Sequence, residues 1–374
     1  MKHLLVGNGA NIQFDSLNYT TKQIVLRILK NFDREDFPSH IICEPRYFQR
    51  NYIGILFLEA RNILDGMYDD VANCSAERDS LKAFKEQYNS KRQSLRITDI
   101  GFEDYYLIHD LVCHKSRTVN PDQYQIREAL KSLYIFSVYN DGKVNELYKS
   151  YSQEYIDYLS SFDSIFTTNY DSNIEAVCSV PVFHIHGQFD KLADVYNSES
   201  FRNKLPDCPI ATYHMDERYS YLYSNVLSTH CGKYKEMSIN QNTLANDALN
   251  KLANLYLSDS SQRNAIDYWC EDENKLVANM GYAVRLKAEH PELVFTENYH
   301  FDEFKKIDGS LEILGLSPWN DFHIFESVNN SNIEKCVYYY FSEEQIEKIQ
   351  ELLSTLNQSG KLTFSPVQDF WSEH

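Results

Sequence analysis

Short apolar runs and long stretches of helical periodicity alternate along this chain. The runs at His3–Val6, Ser164–Thr167, Val180–Ile185, Leu311–Leu316 and Lys335–Phe341 are brief and apolar at most positions. Each is bounded by polar residues or glycine. That texture predicts parallel strands covered on both faces. Between them, Lys22–Phe32 places Ile24, Val25, Ile28, Leu29 and Phe32 on one side at helical spacing. Residues 122–161 predict several helical segments, broken near Asn140-Asp141-Gly142. Leu244–Leu257 predicts a helix with Leu244, Ala248, Leu252 and Leu255 on one face. Ser342–Leu356 opens on Ser342-Glu343-Glu344-Gln345, a capping-box pattern, and continues with Ile346, Ile349, Leu353 and Leu356.

The strands therefore cluster at the start, middle and end of the chain. This predicts an α/β fold, a Rossmann-like parallel sheet with large helical insertions. The core is expected to be discontinuous, from residues 1–32, 161–190 and 309–374. One helical insertion is expected over 33–160 and a second, mostly helical one over 191–308.

Composition narrows the classes. The chain has 374 residues, 43% of them hydrophobic, which suits a globular protein with a sizeable core. Its 28 tyrosines and 21 phenylalanines predict an aromatic core and aromatic helix contacts. The net charge of -18 argues against a broad nucleic-acid-binding face, which needs clustered Lys and Arg. The eight cysteines (Cys43, Cys74, Cys113, Cys178, Cys208, Cys231, Cys270 and Cys336) form no C-x-x-C pair, so no zinc ribbon is expected and the thiols read as reduced. The N-terminal apolar run is too short for a signal peptide, and the longest run, near Ile53–Leu58, is too short to span a bilayer. The expectation is a cytoplasmic protein with no membrane partner.

Four predicted strand ends carry candidate chemistry. Gly7-Asn8-Gly9-Ala10-Asn11 follows the first strand. Such a turn suits backbone approach to a pyrophosphate, and it equally suits a plain strand-to-helix turn. Ile12 stands where the dehydrogenase fingerprint has its third glycine, and no second strand with a terminal acid follows, which excludes an ordinary NAD dehydrogenase. Thr167-Thr168-Asn169-Tyr170-Asp171 follows the second strand, where a ligand crevice lies in open α/β sheets; an Asx-type turn explains it as well. In Phe183-His184-Ile185-His186-Gly187 no third metal ligand stands out. His184 suits a satisfied core histidine, whereas His186 stands at a strand end, where a general base belongs. Gly315-Leu316-Ser317-Pro318-Trp319-Asn320-Asp321 suits ribose or adenosine contacts, or an ordinary turn and helix cap.

In order, G-x-G-x-N, T-T-N-Y-D, H-G and G-x-S, each at a strand end, resemble the sirtuin (silent information regulator) family, whose counterparts run GAG-x-S, TQNID, HG and G-T/H-S. The chain lacks that family's four-cysteine zinc module, and Gln13-Phe14-Asp15-Ser16-Leu17 stands in place of the SGIPDFR-like loop. It is thus more similar to the sirtuin-like domains of bacterial anti-phage defence proteins, NAD+-degrading effectors of abortive infection. Its size resembles the sirtuin-like partner of HerA-type ATPases.

The resemblance implies NAD+ as substrate, with no zinc. It puts Gly7, Asn8, Gly9, Ala10 and Asn11 along the pyrophosphate and nicotinamide ribose, together with Thr168. It puts Gly315, Ser317 and Asp321 near the adenosine half. Asn169 and His186 would face the nicotinamide ribose, supported by Asp171. The implied reaction is hydrolysis to nicotinamide and ADP-ribose, gated by a partner or a homo-oligomer. The rival readings are a non-catalytic NAD- or ADP-ribose-binding scaffold of an ATPase complex, a nucleic-acid-processing subunit, and a zinc-free deacylase.

Overall fold

The computed structural model describes all residues except 40, 42–45, 119–121, 193–214, 231–232, 292 and 294–298. Among the described residues, six strands form one sheet: β1 (Lys2–Val6), β2 (Ser164–Thr167), β3 (Val182–His184), β4 (Asp308–Leu314), β5 (Asn332–Tyr340) and β6 (Leu362–Pro366). Every neighbouring pair is parallel, in the order β3-β2-β1-β4-β5-β6. This is the order of a doubly wound nucleotide-type sheet, whose direction of winding reverses between β1 and β4. The protein is an α/β Rossmann-like fold with long helical segments between β1 and β2 and between β3 and β4.

The sheet is buried on both faces, as its strand texture requires. Leu4, Val6, Ile165 and Leu314 pack on one side with Tyr155, Leu159 and Phe370. Leu5, Phe166, Leu311 and Ile313 pack on the other with Phe304, Phe325 and Ile349. The alternation of Leu4, Leu5 and Val6 between these cores is the period of a strand. A third core lies in the helical layer and carries much of the aromatic content: Tyr19, Tyr68, Tyr105, Tyr106, Tyr134 and Phe136 are all buried there. Buried phenols need partners; Tyr106 pairs with Ser228 Oγ at 2.8 Å and Tyr52 with His109 Nδ1 at 2.7 Å.

Several elements differ from expectation for local reasons. β6 was not anticipated; it is a short edge strand ending on Pro366, which an edge accommodates. β4 starts before its apolar run, because a register shift at Gly309/Ser310 lets a polar start pair with β5. It ends at Leu314, where Gly315 turns with φ +73°. β3 is three residues long and stops at His184, so His186 lies beyond the strand. The helix expected over 244–257 runs Lys233–Ser258. Its buried side chains include Leu249 and Ala253, whereas Leu255 is exposed; the Leu244 side chain lies outside the described residues. The break near residue 141 is present, with Asp141 and Gly142 both at positive φ. The Ser342 segment forms Glu344–Leu352 and Ser354–Gln358, and Gln345 Oε1 reaches back to the Phe341 N–H at 2.7 Å.

Cys113, Cys178, Cys270 and Cys336 are free thiols; Cys43, Cys208 and Cys231 lie outside the described residues. Among the described residues no helix is long and apolar enough to cross a membrane.

Register aligns the strand ends. Val6 sits opposite Thr167 on one side and Leu314 on the other, and Thr167 sits opposite His184. The segments after β1, β2, β3 and β4 thus leave the sheet in one row. Two turns in that row meet backbone to backbone. The Gly7 N–H donates to Leu314 O at 2.9 Å and the Gly9 N–H to Gly315 O at 2.8 Å. A Cβ on Gly9 would meet Gly315 Cα at 2.6 Å, and one on Gly315 would meet the Ala10 nitrogen at 2.5 Å. Gly315→Ala combines left-handed strain with this overlap and should cost about 3 kcal/mol, by addition of typical penalties. Gly360→Ala, at φ +69° with open space around it, should cost only about 1 kcal/mol. Urea unfolding of the two variants measures the contrast.

Candidate active site

A cleft lies at the carboxyl ends of the strands, with about 900 Å³ of empty space including that open to solvent. Its sheet-side wall comes from four successive strand ends: Asn8 and Asn11 after β1, Thr168 to Asp171 after β2, His186 after β3, and Asn320 and Asp321 after β4. Its opposite wall comes from the helical layer, including Tyr19, Phe102, Glu103 and Lys235.

Seven of the residues expected at a site therefore converge: Asn8, Asn11, Thr168, Asn169, Asp171, His186 and Asp321. Gly7, Gly9, Ala10, Gly315 and Ser317 do not line the cleft. The Gly7 and Gly9 amides are bonded to Leu314 and Gly315, so their glycines serve the turn-to-turn contact. Ser317 Oγ accepts from the Trp319 N–H at 3.4 Å.

The β2 end is stapled to β1. Thr168 N–H donates to Val6 O, and Thr167 Oγ1 accepts from the Asn169 N–H while donating to Val6 O. Asn169 is 8% exposed, and its Nδ2 makes a long contact, 3.4 Å, to Gly7 O. Asp171 accepts from Asn11 Nδ2 at 2.6 Å and from Asn173 Nδ2 at 2.5 Å. Burial pushes the Asp171 pKa up, and these two amides pull against that shift. Asn173 in turn donates to Val144 O, tying the β2 loop to the helical layer.

The two histidines of His184-Ile185-His186 do different things. His184 Nδ1 lies 2.9 Å from Asn169 O, and Nε2 lies 2.6 Å from Glu175 Oε1. Both ring nitrogens face acceptors, which favours the doubly protonated ring. Burial works against its charge, but Glu175, the Asn169 carbonyl and Asp171 together outweigh burial and raise the pKa. His184 is a structural brace for Asn169. His186 turns to the cleft, 2% exposed, with Nε2 at 3.3 Å from His323 Nε2. Burial, then the Lys235 ammonium and His323, hold its pKa well below the ordinary value, so the ring is neutral at pH 7.

Lys235, Glu103 and His323 were not read from the sequence. Lys235 Nζ donates to Glu103 Oε1 at 2.8 Å and lies 3.6 Å from Asp321 Oδ1. Burial alone would lower its pKa; the two carboxylates more than offset burial, so the ammonium stays charged. Neither Lys233-Tyr234-Lys235 nor Gly101-Phe102-Glu103 carries a recognisable motif. His323 had a faint signal, two residues after Asp321 in a segment already marked.

The His184–Glu175 pair makes a pH prediction. A folded-state pKa raised above about 6.5 gives stabilisation that is complete below that value. It is lost as pH rises through the folded pKa. The stability gap between wild type and Glu175→Gln should be widest near pH 6 and shrink toward pH 9, measured by urea unfolding across that range.

No protein-family model, curated protein or solved structure matches this chain, so its functional reading rests on the cleft itself.

Proposed function

We propose that the cleft binds NAD+ and hydrolyses its nicotinamide–ribose bond to nicotinamide and ADP-ribose, as sirtuin-like NADases do. The observation that carries this reading is the convergence of Asn169 and His186, from adjacent strand ends, on one cleft.

The reaction asks little of the protein. Nicotinamide leaves a cationic centre as a neutral base, so it needs no acid. The ribose carbon gains oxocarbenium character, as in other glycoside cleavages. Water must be oriented and must lose a proton as it bonds to that carbon. The Asn169 amide orients the water or a ribose hydroxyl, and neutral His186 takes the proton. Asp171 holds Asn11 at the cleft wall, and its charge favours a developing cation. Asn8 and Thr168 supply polar groups for ribose and phosphate oxygens.

Unrestrained NAD+ loss would kill the host, so we read the protein as a gated anti-phage effector. Its activity would be raised by homo-oligomerisation or by a partner such as a HerA-type ATPase. The exposed apolar side chains Leu257, Tyr268 and Tyr282 of the second helical segment support an assembly surface.

The test is nicotinamide release from NAD+ by the purified chain, alone and with co-expressed neighbours. Asn169→Ala and His186→Ala should each lower release by roughly 10²-fold or more, with unchanged circular dichroism. Equal rates in wild type and both variants would remove the assignment. NAD+ binding without turnover in any state would favour a scaffold, and O-acetyl-ADP-ribose formed from an acetylated peptide would favour a deacylase.

A further inference from the structure

Three side chains from two strand ends converge where the sequence offered no metal ligand set. His186 follows β3; Asp321 and His323 follow β4. One ligand atom from each lies within 4.8 Å of the others. The two Nε2 atoms stand 3.3 Å apart. That is long for an N–H···N hydrogen bond. It equals the edge of a tetrahedron around an ion with metal–nitrogen bonds of about 2.0–2.1 Å, where ligands sit about 3.3–3.4 Å apart.

The carboxylate is also placed for a cation. Asp321 precedes the helix Phe322–Asn329, yet its side chain makes no capping hydrogen bond. Its Oδ1 is buried and accepts no hydrogen bond from the described residues. Lys235 is the nearby cation, but its Nζ is bonded to Glu103 at 2.8 Å and stands off Asp321 at 3.6 Å. Glu103 takes the Lys235 hydrogen bond, and the Asp321 Oδ1 is left without one.

We propose that His186, Asp321 and His323 form a site for a divalent transition-metal ion, with Zn2+ the best match. Two imidazoles and one carboxylate suit such an ion and disfavour Mg2+ or Ca2+, which prefer all-oxygen shells. His186 and Asp321 line the cleft, so the fourth position opens onto the ligand space, as in catalytic rather than structural zinc sites. An ion there occupies the His186 Nε2 lone pair. The proton-accepting role given to His186 above then applies to the metal-free protein; with metal bound, the ion activates the water.

The inference does not rest on the NAD+ reading, and its test does not use turnover. Zn2+ is titrated calorimetrically into the chelator-treated full chain, and Co2+ is used as a visible-absorption probe of ligand geometry. We expect one ion per chain and a tetrahedral Co2+ spectrum. Asp321→Asn, nearly isosteric, and His323→Gln should each weaken binding roughly 100-fold and abolish the spectrum, with circular dichroism unchanged. No stoichiometric uptake by the wild type would overturn the site and leave a plain imidazole pair. Uptake retained in the folded Asp321→Asn protein would place the ion elsewhere, for instance on exposed Cys74, and would equally overturn it.

Discussion

The architecture of the cleft depends on how closely two backbone turns approach. Gly7 and Gly9 lie against Gly315 at distances that leave no room for a Cβ, and the bonds Gly7 N–H to Leu314 O and Gly9 N–H to Gly315 O lock the turns together. This contact sits between β1 and β4, where the winding of the sheet reverses and a doubly wound fold opens its crevice. It lets the helix Asn8–Phe14 start at once after β1. Asn8 and Asn11 are thereby carried to the same level as the residues after β2 and β3.

Around that contact, polar groups are buried in matched sets. Asp171 is held by two amides, His184 by a carbonyl and a carboxylate, and Lys235 by Glu103 with Asp321 nearby. The Asp171 and Lys235 sets join segments far apart in sequence, and the His184 set ties the segment after β2 to β3. Because an unpaired buried charge is costly, these sets fix the positions of the loops they join. The Asp171–Asn173–Val144 chain does this between the β2 loop and the helical layer.

Much of the sheet was legible because strands buried on both faces advertise themselves as short apolar runs. β2 matches its expected bounds residue for residue, whereas β6 has a mixed, half-exposed pattern and escaped notice. The sheet-side wall was legible too, since strand ends in an open α/β sheet face a common crevice. The two glycine motifs were visible, but their role was not. A glycine needed for a ligand and one needed for a neighbouring turn look the same in sequence; only the distance to Gly315 separates them. The opposite wall was opaque. Glu103 and Lys235 come from helical regions where a buried ion pair has no sequence period, and they meet only through tertiary packing.

The order of synthesis has a consequence of its own. β1 is the first of the six strands to be made, yet it is central in the sheet, and its two neighbours come from residues 164–167 and 308–314. At typical elongation of about 5–20 residues per second, β1 waits roughly 15–60 s for β4. Until then the glycine contact has no second half, and Asp321 has not been made. A nascent or truncated chain thus has no complete cleft, and whatever chemistry the cleft performs is withheld until β4 and the residues through Asp321 have been translated and docked.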